Sequence, residues 1–243
     1  MRVALSKATF EAEITSRFGA AFSQQKPRAE TLSTGISVVD SIMGGLPRGA
    51  ITEIFGAPSS GRTSFMLSVL AHAAAHQEVC ALIDTCDAFD PVSATEVRLD
   101  LDRLLWIRCT ANIEHAFKAT DLLLQGGGFG LVLLDLGDVA GKDARRIISS
   151  WWYRFRRTVE KTPTVLVVIA ADSCVRSCAS LALGLSRDTE VWSSPKPTVH
   201  SLPQAHSPSH ANLLRGISVQ LDRHRPLHLV AQSTHFQAQT RYA

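Results

Sequence analysis

The chain has 243 residues, 45% of them hydrophobic, which is enough for one substantial core and too short for more than one domain with appendages or two small ones. A formal charge of +3 permits an anionic partner without requiring one. Five cysteines, an odd number in a chain of this size, argue against a disulfide framework and for a reducing, cytoplasmic compartment. No apolar run reaches the ~18 residues that spanning a bilayer requires, and the first residues, with Glu11 and Glu13 close behind Arg2 and Lys7, lack a secretory pattern.

In chain order, residues 3–18 predict an amphipathic helix with Leu5, Phe10, Ile14 and Phe18 on one stripe. A polar, proline-containing stretch from Ser23 to Thr31 follows as a linker, making 1–31 an arm ahead of the main domain. From there strands and helices alternate. Strands are expected at Ile51–Phe55, Val79–Asp84, Leu104–Arg108, Gly130–Asp135 and Thr164–Ala171. Helices are expected at Thr63–His76, Pro91–Arg98, Ile113–Gln125 and Asp143–Lys161. Continuous apolar strands separated by helices imply an α/β fold, with a mainly parallel central sheet covered by helices on both faces. The core is thus expected over 32–192. A Pro-, Ser- and His-rich linker over 193–212 follows, then edge strands and a tail over 213–243, with a hairpin of Gly216–Leu221 and Leu227–Ala231. Cys174 and Cys178 lie four apart with no second pair nearby, so they are expected to be half-buried thiols and not a metal site.

Gly56 to Thr63 reads Gly-Ala-Pro-Ser-Ser-Gly-Arg-Thr, between a predicted strand and a predicted helix. It is the P-loop pattern G-x-x-x-x-G-K-[ST] with Arg62 in place of the lysine. Glycines at 56 and 61 let backbone N–H groups converge on phosphate oxygens at a helix N-terminus. The candidate phosphate-binding residues are Gly56, Ser59, Ser60, Gly61, Arg62, Thr63 and Ser64. Thr63 stands where a hydroxyl binds Mg²⁺, and Asp135, ending an apolar strand, where a second metal-orienting carboxylate belongs. Arg keeps the charge of the lysine but is a broad planar fork, so the expectation is weak binding of ATP or ADP with Mg²⁺, or none.

On the helix expected over Asp143–Lys161, Ile147, Trp151, Phe155 and Val159 form an apolar stripe. Arg146, Arg154, Arg157 and Lys161 fall within about 80° of one another on a helical wheel. That face is either a solvated basic surface or a weak, salt-sensitive contact for the DNA backbone, with Trp152 and Tyr153 as candidates for base stacking.

Several stretches taken in order resemble the bacterial RecA recombinase core. They are Leu32-Ser-Thr-Gly-Ile36 through Asp40, Gly44-Gly-Leu-Pro-Arg-Gly49, Ile51–Ser64, Cys80-Ala-Leu-Ile-Asp84 through Pro91, and Leu101-Asp-Arg-Leu-Leu. The resemblance covers about residues 10 to 235. It implies an adenine-contacting role for Asp90, with the family's stacking tyrosine falling on Ser93. It also places the water-activating glutamate of the family on Cys86 and its phosphate-sensing glutamine near Ala171. Gly137–Lys142 and Ser173–Leu185 stand, much shortened, where the two DNA-binding loops belong. Features that resemble docking surfaces are kept: the arm with Phe10, Ile14 and Phe18, and Arg223 and Arg225 at positions whose lysines reach a neighbour's nucleotide. For the arginine pair, a solvated strand end is the alternative reading.

Retained couplings beside a missing general base resemble the ImuA-type accessory proteins of SOS mutagenesis. That resemblance implies a non-hydrolysing factor in translesion DNA synthesis after DNA damage. Its expected partners are RecA, an ImuB-type Y-family polymerase homologue and a DnaE2-type polymerase, with DNA bound weakly. A minimal ATP-dependent DNA recombinase and a cell-division-inhibitor-type regulator are the alternatives.

Overall fold

The computed structural model describes residues 30–140, 143, 149–193, 213–226 and 232–239. From Thr31 onward the chain forms one compact unit. The arm residues Phe10, Ile14 and Phe18, the basic residue Arg146 and the expected strand Leu227–Ala231 lie outside the described residues.

Apolar strands dictate the centre. In chain order, the paired segments are β1 (Thr31–Leu32), β2 (Leu46–Pro47), β3 (Ala50–Phe55), β4 (Cys80–Asp84), β5 (Leu104–Arg108), β6 (Leu131–Leu136) and β7 (Val165–Ala170). Three longer strands follow: β8 (Leu181–Trp192), β9 (Leu214–Arg225) and β10 (Ser233–Gln239). The helices are α1 (Ser37–Met43), α2 (Arg62–Ala75), α3 (Pro91–Glu96), α4 (Ile113–Gly126) and α5 (Ser149–Val159). The main sheet runs β10-β9-β8-β3-β7-β6-β4-β5. It is parallel from β8 to β5, and β9 and β10 are added antiparallel at one side.

Side chains alternate across this sheet, as the pleat requires. Ile54, Leu131, Leu133, Val165, Val167 and Ile169 face a core layer shared with α1 and α2. Ile51, Val132, Leu134, Leu166, Val168 and Ala170 face a second layer shared with α4 and α5. Both faces being buried explains why these strands read as unbroken apolar runs. In the second layer Phe117 of α4 packs against Trp152 and Phe155 of α5, with ring centroids 5.0 and 5.4 Å apart. Trp152 is therefore a core residue, buried under α4, and not the base-stacking candidate its sequence position suggests.

Two further differences from the sequence reading concern the C-terminal third. Ser173–Leu185 does not stay a loop: it turns through a short 3₁₀ segment at Arg176–Cys178 and enters the twelve-residue strand β8. The strand that pairs with β9 is Ser233–Gln239, and β9 itself runs from Leu214 to Arg225 rather than stopping at Leu221. Among the described residues, no helix is long and apolar enough to cross a membrane.

Candidate functional site at the strand ends

The parallel register sets the site. Asp84 is level with Asp135, Asp135 with Ile169, and both Leu136 and Phe55 with Ala170. The turns that leave β3, β4, β6 and β7 therefore gather at one edge, where ligands of open α/β sheets bind.

β3 leads into the phosphate loop, and Gly61 caps α2 in the left-handed region at φ 93°. A Cβ there would lie 2.5 Å from Val219 Cγ2, and one on Gly56 would lie 2.2 Å from the Leu185 carbonyl oxygen. The loop thus packs directly under β8 and β9, and both contacts demand glycine. Ser60 is 2% exposed, and its hydroxyl, which has no hydrogen-bond partner, points across the loop toward Gly56. Ser59, Thr63 and Ser64 are exposed. Thr63 and Ser64 open onto a groove of about 1130 Å³, which Ser93, Glu96, Ser218 and Gln237 also line. A loop of this shape fits an anion, and the groove has room for a nucleoside.

Arg62 does not lie over the loop in the way a P-loop lysine does. It is 8% exposed, and its Nη1 donates to the Gly137 carbonyl at 2.9 Å, just past the end of β6. There it meets Asp135, whose Oδ1 accepts from Gly137 N at 2.8 Å. Burial pushes the Asp135 carboxyl up from 3.8 to about 6; the Gly137 hydrogen bond opposes this, Asp84 and Asp138 add to it, and Arg62 relieves it in part. Thr63 and Asp135 were the expected magnesium-holding pair. The guanidinium stands beside the carboxylate that would have to orient the ion, so this donor set does not fit a divalent cation.

Cys86 follows Asp84 on the β4–α3 turn. Its thiol is pushed up by burial and then by the carboxylates of Asp138, Asp135, Asp84 and Asp87, so it stays protonated and cannot serve as a general base. Asp84 holds this turn in place: its carboxylate accepts from Ala88 N and Phe89 N, both at 3.0 Å, and from Trp106 Nε1 at 3.2 Å. Asp90 is the N-cap of α3, accepting from Val92 N and Ser93 N at 3.1 Å and from Ser93 Oγ at 2.6 Å. These bonds, that from the Ser93 hydroxyl first, hold its carboxyl below the usual range.

Sequence reasoning missed Glu53. Fully buried on β3, it accepts from Ser173 Oγ at 2.8 Å, Cys174 N at 2.5 Å and Val175 N at 2.8 Å. It pins the segment after β7 to the sheet. The signal was available: a lone carboxylate in an otherwise apolar strand entering the loop.

The basic face of α5 is only partly free. Arg154 is taken by Asp121 of α4, with Nε 2.7 Å from Oδ1 and a second bond to Oδ2, and it lies over the Trp151 ring. The arginine side of this pair still faces solvent, with 55% of the Arg154 side chain exposed. Arg157 and Lys161 are exposed, as is Tyr153. Arg223 and Arg225 are half-buried near the end of β9, level with Leu183 and Ala182. Cys174 and Cys178 are buried rather than half-buried, and the described residues hold no cluster of three or more potential metal ligands.

A parallel sheet with a phosphate loop at the carboxyl end of its β3 strand defines the chain as a P-loop α/β protein. More narrowly, the RecA N-terminal domain family matches residues 7–148, and the chain belongs to that family. A solved structure titled as the RadB recombinase superposes with a TM-score of 0.60 at 18% identity, covering 85% of this chain and 96% of that one. At that identity the likeness is one of fold.

Proposed function

We propose that this RecA-family chain is a non-hydrolysing accessory protein of the ImuA type, acting in damage-induced translesion DNA synthesis. One observation carries the reading. At the position that the resemblance gives the family's water-activating carboxylate stands Cys86, a thiol whose ionisation is disfavoured by burial and then by the charges of nearby carboxylates. Loss of a positioned base lowers a rate by about 10²–10⁴, and Arg62 is held to one side at the Gly137 carbonyl instead of lying over the loop. The docking role falls to the N-terminal arm with Phe10, Ile14 and Phe18, and to Arg223 and Arg225. The partners proposed are RecA and a complex of an ImuB-type Y-family polymerase homologue with a DnaE2-type polymerase. Arg157 and Lys161 supply a weak contact to DNA.

Phosphate release by the full chain with ATP, Mg²⁺ and single-stranded DNA is expected to stay at the background rate. Robust turnover would instead favour a minimal recombinase. Immobilised RecA is expected to capture the full chain but not a chain lacking residues 1–25. Failure to capture the full chain overturns the accessory role.

A further inference from the structure

Three groups meet just beyond β6. A Cβ built on Gly137 would lie 2.9 Å from Asp135 Oδ1, 3.1 Å from Arg62 Nη1 and 3.5 Å from Arg62 Cζ. The guanidinium and the carboxylate thus crowd one point from two sides, and the Gly137 carbonyl fixes the guanidinium there at 2.9 Å. A side chain at 137 would push against the ends of both groups. A divalent ion at this edge would need Asp135 to orient its ligands. It would find a fixed positive charge already beside that carboxylate, and the two cations repel.

The loop itself is intact as an anion cradle. Gly61 opens α2 in the left-handed region, and the buried Ser60 hydroxyl has no partner within the protein. We propose that Arg62 takes the place of the magnesium ion, and that the loop binds a nucleoside diphosphate in a metal-independent manner. The backbone amides and Ser60 take the two phosphates, and the guanidinium supplies the neutralising charge. One fixed guanidinium carries less positive charge than a divalent ion, so it balances two phosphates better than three, and the diphosphate is preferred over the triphosphate. The nucleoside lies in the groove beyond Thr63, along Ser93, Glu96 and Gln237.

The inference rests on the reading of a loop that is not turned over, but it fails separately. Calorimetric titration of the full chain with ADP, ATP and inorganic pyrophosphate, each in EDTA and in excess MgCl₂, tests it. For the wild type, the ADP dissociation constants in the two buffers are expected to agree within about twofold, with ATP at least about tenfold weaker in EDTA. In Arg62→Lys, whose shorter ammonium cannot bridge to Gly137 in the same way, magnesium is expected to tighten ADP binding by about tenfold or more. Wild-type binding that needs magnesium overturns the inference, as does the absence of ADP binding in both buffers. Pyrophosphate binding without ADP binding would show a diphosphate cradle and overturn the nucleoside part. Capture by RecA is independent of all these outcomes, so a metal-dependent result leaves the accessory role standing.

Discussion

Glu53 is a carboxylate with no exposure inside a strand of Ala, Ile, Thr and Phe, and three donors from the segment after β7 converge on it. Glu53→Ala leaves two backbone N–H groups buried without an acceptor, so a loss of about 2–4 kcal/mol is expected, read from the urea midpoint. Glu53→Gln presents an NH₂ to one of those donors and is expected to lose part of that amount. Asp135 behaves differently, because its folded-state value of about 6 lies above the ordinary 3.8. The protonated form suits the fold, so stability is fully present below the ordinary value and is lost as pH rises through the folded one. Asp135→Asn keeps the acceptor for Gly137 N and removes the charge. Its advantage over the wild type is expected to be near zero at about pH 3.5 and to grow to roughly 1–3 kcal/mol by about pH 7.5. A melting-temperature difference that stays flat with pH would show that Asp135 ionises in the fold at no cost.

At the scale of elements, α5 shows how a sequence pattern divides into what it can and cannot reveal. The spacing of Trp151, Phe155 and Val159 correctly marked the face that meets α4 and the sheet, because helical period and burial share one geometry. The wheel also grouped Arg154 with Arg157 and Lys161, but it could not show that α4 brings Asp121, 7% exposed, against one of the three. Arg154→Ala is therefore expected to cost about 0.5–2 kcal/mol in stability, since the nearly buried Asp121 then keeps only its bond from Gln125. Arg157→Ala and Lys161→Ala are expected to change stability by less than about 0.5 kcal/mol. Any effect of these two falls on single-stranded DNA, where each removal is expected to flatten the slope of log affinity against log salt by about 0.7. A salt slope unmoved by the double substitution would leave this face as plain solvated surface. Asp90 shows what local sequence can reveal: Asp-Pro-x-Ser marks it as the N-cap of α3.

Over the whole molecule, the parallel half was legible from β3 to β7, since each strand is an apolar run with a helix on either side. The antiparallel third was not. β8 is apolar only over Leu181–Leu185; its remaining residues, Ser186 to Trp192, are exposed and owe their strand conformation to pairing with β9. Partners far apart in sequence leave no local trace of this kind. The consequence is that β9 and β10 are built into the core: Val219 of β9 touches Gly61 of the phosphate loop, and Phe236 of β10 packs on Phe65 of α2, with ring centroids 6.2 Å apart. Leu221 is the test of this continuity. It is fully buried and paired on one side with Leu185 and on the other with Thr234. Leu221→Ala is expected to cost about 2–5 kcal/mol. The chain's tryptophans include Trp106 on β5 and Trp151 and Trp152 on α5, elements of the parallel half of the sheet. If the eight strands unfold as one body, fluorescence from that half is expected to shift its urea midpoint by as much as far-ultraviolet circular dichroism does. If β9 and β10 were a dispensable addition, the fluorescence midpoint would stay at the wild-type value while the dichroism trace split in two.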